Sequence, residues 1–425
     1  MDVKRSKLKN GVDLTVVTDK KFKKDVMSVS FICGSGLHAA SSSALLTGVL
    51  SRSCSKYPTL MELNRALDGL YDAQLTSDAG RRGLDHIPTF SVSSLCNRYS
   101  IDGTDIRGGC LDILYDIIFD PATRGSFDKK TVSSEKQQLK DSIGSIKNSR
   151  SSYALRRCTE ILMRDTPDFA PRLGTQDGVD ATDSTSLYEF YNYMISKAPV
   201  SIVSVSGEDD GRACEFADRL CSSLPDRDDG YVREAGSGPA KKRITREYEE
   251  ANVSQDVLCV GCSYDGDMTD GRGAERALFH EIFFQNPTSR LFENVREKLS
   301  LCYYCTAHPM TDLKKLIIYA GVDGKKAAKA EAEIKAQLEY IKQGVTKEEL
   351  ERCRLALKND LLALSDSPSR IASWYSVRAL YKGVCDTVED FYGELDRVTP
   401  EDVLHAARSV APHTVFRLKG TENDA

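Results

Sequence analysis

The sequence predicts an α+β protein made of two homologous α+β domains, each an antiparallel-rich sheet flanked by helices. Three observations lead there: a long internal repeat, the same succession of strand-like and helix-like segments in both halves, and a polar, Gly- and Pro-rich stretch between them. The repeat is plainest where the halves end. Ala198-Pro199 followed by Val200-Ser201-Ile202-Val203-Ser204-Val205-Ser206-Gly207 recurs as Ala411-Pro412 followed by His413-Thr414-Val415-Phe416-Arg417-Leu418-Lys419-Gly420. In both, a helix enters Ala-Pro and a strand leaves it.

In chain order, Leu8-Lys9-Asn10-Gly11 before the alternating Val12 to Val17 predicts a hairpin, because Asn-Gly suits the two positive φ angles of a type I′ turn. A further strand is expected over Val26 to Ile32. Pro58-Thr59 opens an amphipathic helix through Leu63, Leu67 and Leu70, which passes into a strand at Ala73 to Thr76. An exposed-looking strand around Thr89 to Leu95, a helix, and a long charged helix near Asp128 to Asn148 follow. The second half repeats this. Pro287-Thr288 opens a helix through Leu291, Phe292, Val295 and Leu299, then come a strand at Cys302 to Cys305 and an exposed-looking strand around Lys315 to Gly321. A helix and a long charged helix over Lys347 to Leu364, with Leu350, Leu355, Leu357 and Leu361 at helical spacing, complete it. Leu224 to Gly230 and Ala235 to Lys242 read as linker, giving domains 1–225 and 246–425 around a linker 226–245.

Composition narrows the functional classes. The 425 residues are 40% hydrophobic and 28% charged, with mean hydropathy −0.37, as in a water-soluble globular protein. No apolar run approaches the ~20 residues of a spanning helix, so no membrane association is expected. The 58 basic and 63 acidic residues are interspersed and sum to −5, which argues against a phosphate-tracking surface and a nucleic-acid partner. Thirteen cysteines, an odd number scattered from Cys33 to Cys385, fit a reducing compartment. With no signal-peptide pattern at the start, the expected location is cytoplasmic.

Three local patterns suggest chemistry, and each has a simpler reading. Gly34-Ser35-Gly36-Leu37-His38-Ala39 fits the loose G-x-G-x-x-A dinucleotide fingerprint. It follows an antiparallel hairpin and not a βαβ crossover, so a Gly-rich turn is expected. Cys259-Val260-Gly261-Cys262 and Cys302-Tyr303-Tyr304-Cys305 are C-x-x-C pairs of the kind that hold zinc. Both lie in strand-like runs, where residues three apart point to opposite faces, so structural cysteines are expected. His280-Glu281-Ile282-Phe283-Phe284 begins like H-E-x-x-H but puts Phe284 at the second ligand position, leaving His280 as a helix residue.

The stretch Ser289-Arg290-Leu291-Phe292-Glu293-Asn294-Val295-Arg296-Glu297-Lys298-Leu299-Ser300-Leu301-Cys302-Tyr303 resembles the C-terminal signature S-R-L-F-x-x-[VL]-R-E-x-x-x-L-x-Y of the insulinase (pitrilysin) family of zinc peptidases, which includes the mitochondrial processing peptidase. The L-x-N-G-[VL] opening, the duplicated halves and the Ala-Pro endings extend the resemblance over essentially the whole chain. It is closest to the small bacterial members that act as paired subunits. The resemblance implies the family's half-clamshell of two α+β domains. It also implies that Arg296 and Tyr303, seven residues apart, reach the scissile carbonyl and hold the tetrahedral oxyanion. The bland alternative makes Arg296 a surface ion pair and Tyr303 strand core.

The family's zinc signature is the inverted H-x-x-E-H, with a later Glu as third ligand. In register its three positions here are Ala44, Thr47 and Gly48, and Ala39 to Ser55 contains no His, Asp or Glu. The later segment Ser134 to Asp141 keeps an acid, but without two imidazoles there is no Lewis-acid site. The chain is therefore expected to bind no cofactor and to hydrolyse no peptide alone. The resemblance implies that it closes the chamber of a heterodimer whose homologous partner subunit carries zinc, with an extended peptide gripped partly as an added strand. A scaffold role like that of respiratory-chain core subunits, and a peptide-binding chamber without cleavage, remain open, as does a homodimer of the isolated chain.

Overall fold

A computed structural model describes residues 1–121, 125–209, 211–226, 244–252, 255–264, 269–381 and 387–421. The chain forms two compact units, Met1–Ile143 with Asp168–Glu234 and Ala363–Lys382, and Gly144–Pro167 with Ala235–Leu362 and Gly383–Ala425. Most of the expected linker falls outside the described residues.

The first unit opens with β1 (Asp2–Lys7) and β2 (Val12–Thr18), an antiparallel hairpin. Asn10 and Gly11 both have positive φ, 60° and 64°, as the Asn-Gly pair requires. Next come β3 (Lys24–Phe31), α1 (Gly36–Leu50), α2 (Leu60–Asp68), β4 (Gln74–Arg82) and β5 (Asp85–Leu95). Helix α2 starts where the sequence says: Thr59 and Glu62 form a reciprocal capping box. Then follow α3 (Ile106–Phe119), α4 (Lys129–Ser145), α5 (Arg150–Leu162), α6 (Gln176–Ala181), α7 (Ser184–Lys197), β6 (Val200–Ser206) and α8 (Arg212–Ser223). The sheet order is β1-β2-β6-β3-β5-β4. Strand β6, between a parallel and an antiparallel neighbour, is buried at all seven positions, which suits its run of Val, Ile and Ser.

The second unit carries β7 (Thr245–Ala251), β8 (Asp256–Ser263), α9 (Gly273–His280), β9 (Cys302–Met310), β10 (Lys315–Val322), α10 (Ala327–Ile341) and α11 (Lys347–Ser365), the last shared with the first unit. After α12 (Pro368–Arg378) come α13 (Val388–Arg397), α14 (Pro400–Arg408) and β11 (Ala411–Gly420). The sheet order is β7-β11-β8-β10-β9, parallel at β7/β11 and antiparallel elsewhere. Without its extra edge strand β1, the first sheet has the same order and the same directions, so the duplication seen in the sequence is a duplication of topology. Both sheets are flanked by helices, giving the α+β class expected.

Packing does not follow sequence order for two helices. Helix α5 belongs to the second unit, lying on β8, where a side chain at Gly261 would come within 2.9 Å of Leu162. Helix α12, late in the chain, belongs to the first unit and covers β3 and β6 on the face opposite the main core. That core gathers Leu45, Leu46, Phe90, Ile113, Leu114 and Leu187 between the sheet and α1, α3 and α7.

Two sequence expectations change. The strands read as exposed, β5 and β10, are interior to their sheets, and seven of eight positions in β10 are buried. Pairing on both sides buries them; the exposed strands are their neighbours β4 and β9, at the sheet edges. The segment after Pro287-Thr288 is helical but wound as a π-helix over Leu291–Lys298, with Leu299 donating to the Asn294 carbonyl five residues back.

Candidate functional site

Helix α1 carries Ala44, Thr47 and Gly48, the positions that the resemblance puts in register with the family's zinc signature. Ala44 and Thr47 are 7% and 5% exposed, and the Thr47 hydroxyl donates to the Ala44 carbonyl at 2.9 Å. Opposite Gly48 lies the acid retained in the later segment: a Cβ on Gly48 would meet Glu135 Oε2 at 2.6 Å. The missing side chain of Gly48 is thus filled by the Glu135 carboxylate. Arg52, in the turn just past the end of α1, donates from Nε to Glu135 Oε1 at 2.6 Å and from Nη2 to Gln138 at 2.8 Å.

These residues do not fit zinc. A methyl, a hydroxyl engaged with its own helix and a glycine supply no imidazole or carboxylate, and the one carboxylate nearby is already opposed by a guanidinium. Sequence reasoning missed Arg52. Its sign was a cation four residues after Gly48, at the exit of the helix that carries the three positions.

Arg296 and Tyr303 lie in the second unit, on consecutive elements. Arg296 sits in the last turn of the π-helix, its side chain 41% exposed, over the Phe292 ring at 4.6 Å and 3.5 Å from Glu297. The chain then turns at Ser300, whose φ of 47° ends the helix as glycine usually does. Ser300 donates to the Arg296 carbonyl, and the Lys326 ammonium holds the Ser300 carbonyl at 3.1 Å. Strand β9 begins directly after this closure.

Tyr303 is 57% exposed. It is not strand core, because β9 carries a bulge there: Val322 pairs with Cys302 and Gly321 with Tyr304, leaving Tyr303 unpaired. Its neighbour Tyr304 turns inward, hydrogen-bonded to Ser151 at 2.6 Å and edge-on to Tyr319. The exposed phenol and guanidinium therefore stand beside β9, the outermost strand of its sheet among the described residues.

The other motifs resolve as follows. Gly34 and Gly36 have φ of 76° and 94°, and the strand before them pairs antiparallel on both sides, so Gly34-Ser35 is a turn and Gly36 to Ala39 open α1. His280 closes α9, half-buried against Tyr264, whose hydroxyl is 3.2 Å from Nε2, with the Phe284 ring tilted beside it. Burial, with the Arg276 charge adding to it, pushes its imidazole down to about 3. The C-x-x-C pairs lie on β8 and β9, with β10 between them. Two strand spacings, about 10 Å, keep the pairs from sharing one tetrahedral ion. One expectation is corrected: the bulge at Tyr303 puts Cys302 and Cys305 on the same face, opposite Val322 and Ala320.

The first unit also holds a polar cavity of about 690 Å³ between its sheet and α12. Hydroxyl pairs Ser28 with Ser91 and Ser30 with Thr89, each at 2.8 Å, line it with the Arg172 and Asp78 ion pair.

Comparison with known proteins agrees with this geometry. Residues 183–357 match the family model described as the Peptidase M16 inactive domain. The chain is 26% identical over 414 residues to the probable inactive metalloprotease YmfF of Bacillus subtilis, spanning 97% of this chain and 96% of that one. Among solved structures, a conserved protein from Enterococcus faecalis superposes with a TM-score of 0.89 at 23% identity, covering 100% of both chains. The peptidase M16 inactive domain from Pseudomonas fluorescens superposes at 0.82 with 17% identity over 99% of each.

The fold is that of the two-domain M16-like peptidases, two sheets flanked by helices. The chain is similar to M16 peptidases and to relatives of theirs named as inactive, and the resemblance first seen at Ser289 to Tyr303 is borne out. Among the described residues no helix is long and apolar enough to cross a membrane.

Proposed function

We propose that this chain is the non-zinc subunit of a two-subunit M16 peptidase. It pairs with a homologous zinc-bearing subunit and presents Arg296 and Tyr303 to the substrate carbonyl held at the partner's metal. The observation that carries the reading is a contrast within the chain: Ala44, Thr47 and Gly48 on α1 offer no metal donor, while Arg296 and Tyr303 are present and exposed beside a strand that is outermost in its sheet among the described residues. An extended peptide added to that edge would lie along the bulged strand. There the guanidinium and the phenol donate hydrogen bonds to the oxygen on which negative charge develops.

The test compares metal content and peptidase activity of the chain alone and mixed with the nearest H-x-x-E-H homologue from the same organism. Activity is expected only in the mixture, with kcat falling about 10²-fold on Arg296→Ala. Stoichiometric zinc and activity in the chain alone would overturn it. A scaffold or peptide-binding role without cleavage is the second reading, favoured by the similarity to a relative named as probably inactive. It predicts peptide binding by the isolated chain and no gain of activity in the mixture.

A further inference from the structure

Cys302 and Cys305 form a thiol pair unlike the other described cysteines. The bulge brings them to one face of β9, opposite Val322 and Ala320, where each thiol shifts the ionisation of the other in the opposite direction. Cys302 is half-buried and reachable, whereas Cys305 is 4% exposed. The other thiol pair linked in ionisation, Cys158 with Cys259, is buried at both members. Access and a shared face therefore coincide at Cys302 and Cys305.

The electrostatics are as unequal as the exposure. The neighbouring Cys305 thiol, helped by the Arg296 guanidinium, holds the Cys302 thiol below its usual range against the opposing effect of burial. Cys305, beside Cys302 and buried, is held well above it. A reachable sulfur that favours its thiolate beside a buried one that keeps its proton is the division between an attacking and a resolving thiol.

We infer that Cys302 and Cys305 are a redox-active dithiol that reacts with low-molecular-weight disulfides. The Cys302 thiolate attacks one sulfur of a disulfide RSSR, forming a mixed disulfide and expelling one RS⁻. Cys305 then gives up its proton and attacks the Cys302 sulfur. The protein disulfide forms and the second RS⁻ leaves. Two electrons pass from the protein dithiol to RSSR, and the two thiol protons end on two RSH. Closing the bond draws the two Cβ atoms toward disulfide spacing, and the unpaired residue between them, Tyr303, has no ladder hydrogen bond to resist the movement.

The intact chain is treated with oxidised glutathione, quenched with acid and digested with trypsin. Cleavage after Lys298 and Lys314 releases one peptide containing Cys302 and Cys305 and no other cysteine. In the wild type this peptide is expected to lose two hydrogens. Cys305→Ser is expected to trap glutathione on Cys302, and Cys302→Ser to leave the peptide unmodified. Before oxidation, Cys302 should alkylate about tenfold faster than Cys305 at neutral pH. An unchanged wild-type peptide, a mixed disulfide that persists in the wild type, or equal trapping on Cys305 in Cys302→Ser would each overturn the inference. None of these readouts depends on a partner subunit or on peptidase activity.

Discussion

The ion pair under α1 sets a measurable energy. Glu135 and Arg52 side chains are 9% and 31% exposed with 2.6 Å between Oε1 and Nε, so the charge centres stand about 4 Å apart. At an effective dielectric of about 20 their attraction is about 4 kcal/mol, and the solvent reaching Arg52 reduces it to about 2 kcal/mol. Arg52→Met leaves a buried carboxylate unopposed and should lower stability by about 2 to 3 kcal/mol. Glu135→Gln should lower it by about 1 kcal/mol. The double variant should lie close to Glu135→Gln alone, a coupling of about 2 kcal/mol. The assay is urea unfolding followed by tryptophan fluorescence. The single tryptophan, Trp374, lies on α12 at 9% exposure and reports the first unit, which also holds Arg52 and Glu135. If the two losses add to within about 0.5 kcal/mol, the guanidinium is not the counter-charge of Glu135 and the account of the lost metal position fails.

Acid should destabilise the first unit through His86. Burial, with the Arg81 charge adding to it, pushes its imidazole down to about 4 from an ordinary value of 6.5. The unfolded chain therefore takes up this proton first. The stability is fully present above pH 6.5 and is lost as pH falls from there toward 4, at about 1.4 kcal/mol per pH unit. His86→Gln should flatten that slope in the Trp374 transition, measured at pH 7, 6 and 5, whereas His280→Gln in the second unit should leave it unchanged; an unaltered slope in His86→Gln refutes the assignment. Gly321→Ala should lower the stability of the second unit by about 1 to 3 kcal/mol, because a methyl there overlaps the Tyr304 ring beside the bulge. Far-UV circular dichroism in urea should show the loss while the Trp374 transition stays in place, and wild-type stability would mean that the ring moves aside freely.

Much of this was legible in the sequence because it rests on local signals. Asn10-Gly11, the Thr59 cap, the two Ala-Pro strand entries and the segment from Ser289 to Tyr303 each state their structure within a few residues. What was not legible depends on pairing partners. Whether β5 and β10 are interior cannot be read from their own residues, since alternation marks a half-buried strand and says nothing of how many neighbours it has. The common face of Cys302 and Cys305 needs the one-residue slip at Tyr303, which strict two-residue periodicity conceals. Arg52 escaped notice for a similar reason: its partner lies 83 residues away, and only the tertiary approach of Glu135 to Gly48 and the turn after α1 brings the two together.

The exchange of α5 and α12 bears on how the chain is made. Synthesis runs from the N-terminus, and domains whose segments are contiguous fold as they emerge from the ribosome. Here β6 is complete at Ser206, yet the helix that covers one face of its sheet, Pro368–Arg378, is translated only after most of the second unit. Helix α5 in turn emerges well before the strands it packs against. Through most of translation the nascent chain therefore presents an uncovered sheet face and an unplaced amphipathic helix, the surfaces that chaperones recognise. Both units reach their final packing late and close together in time, so a break in the chain between them would strand a helix from each.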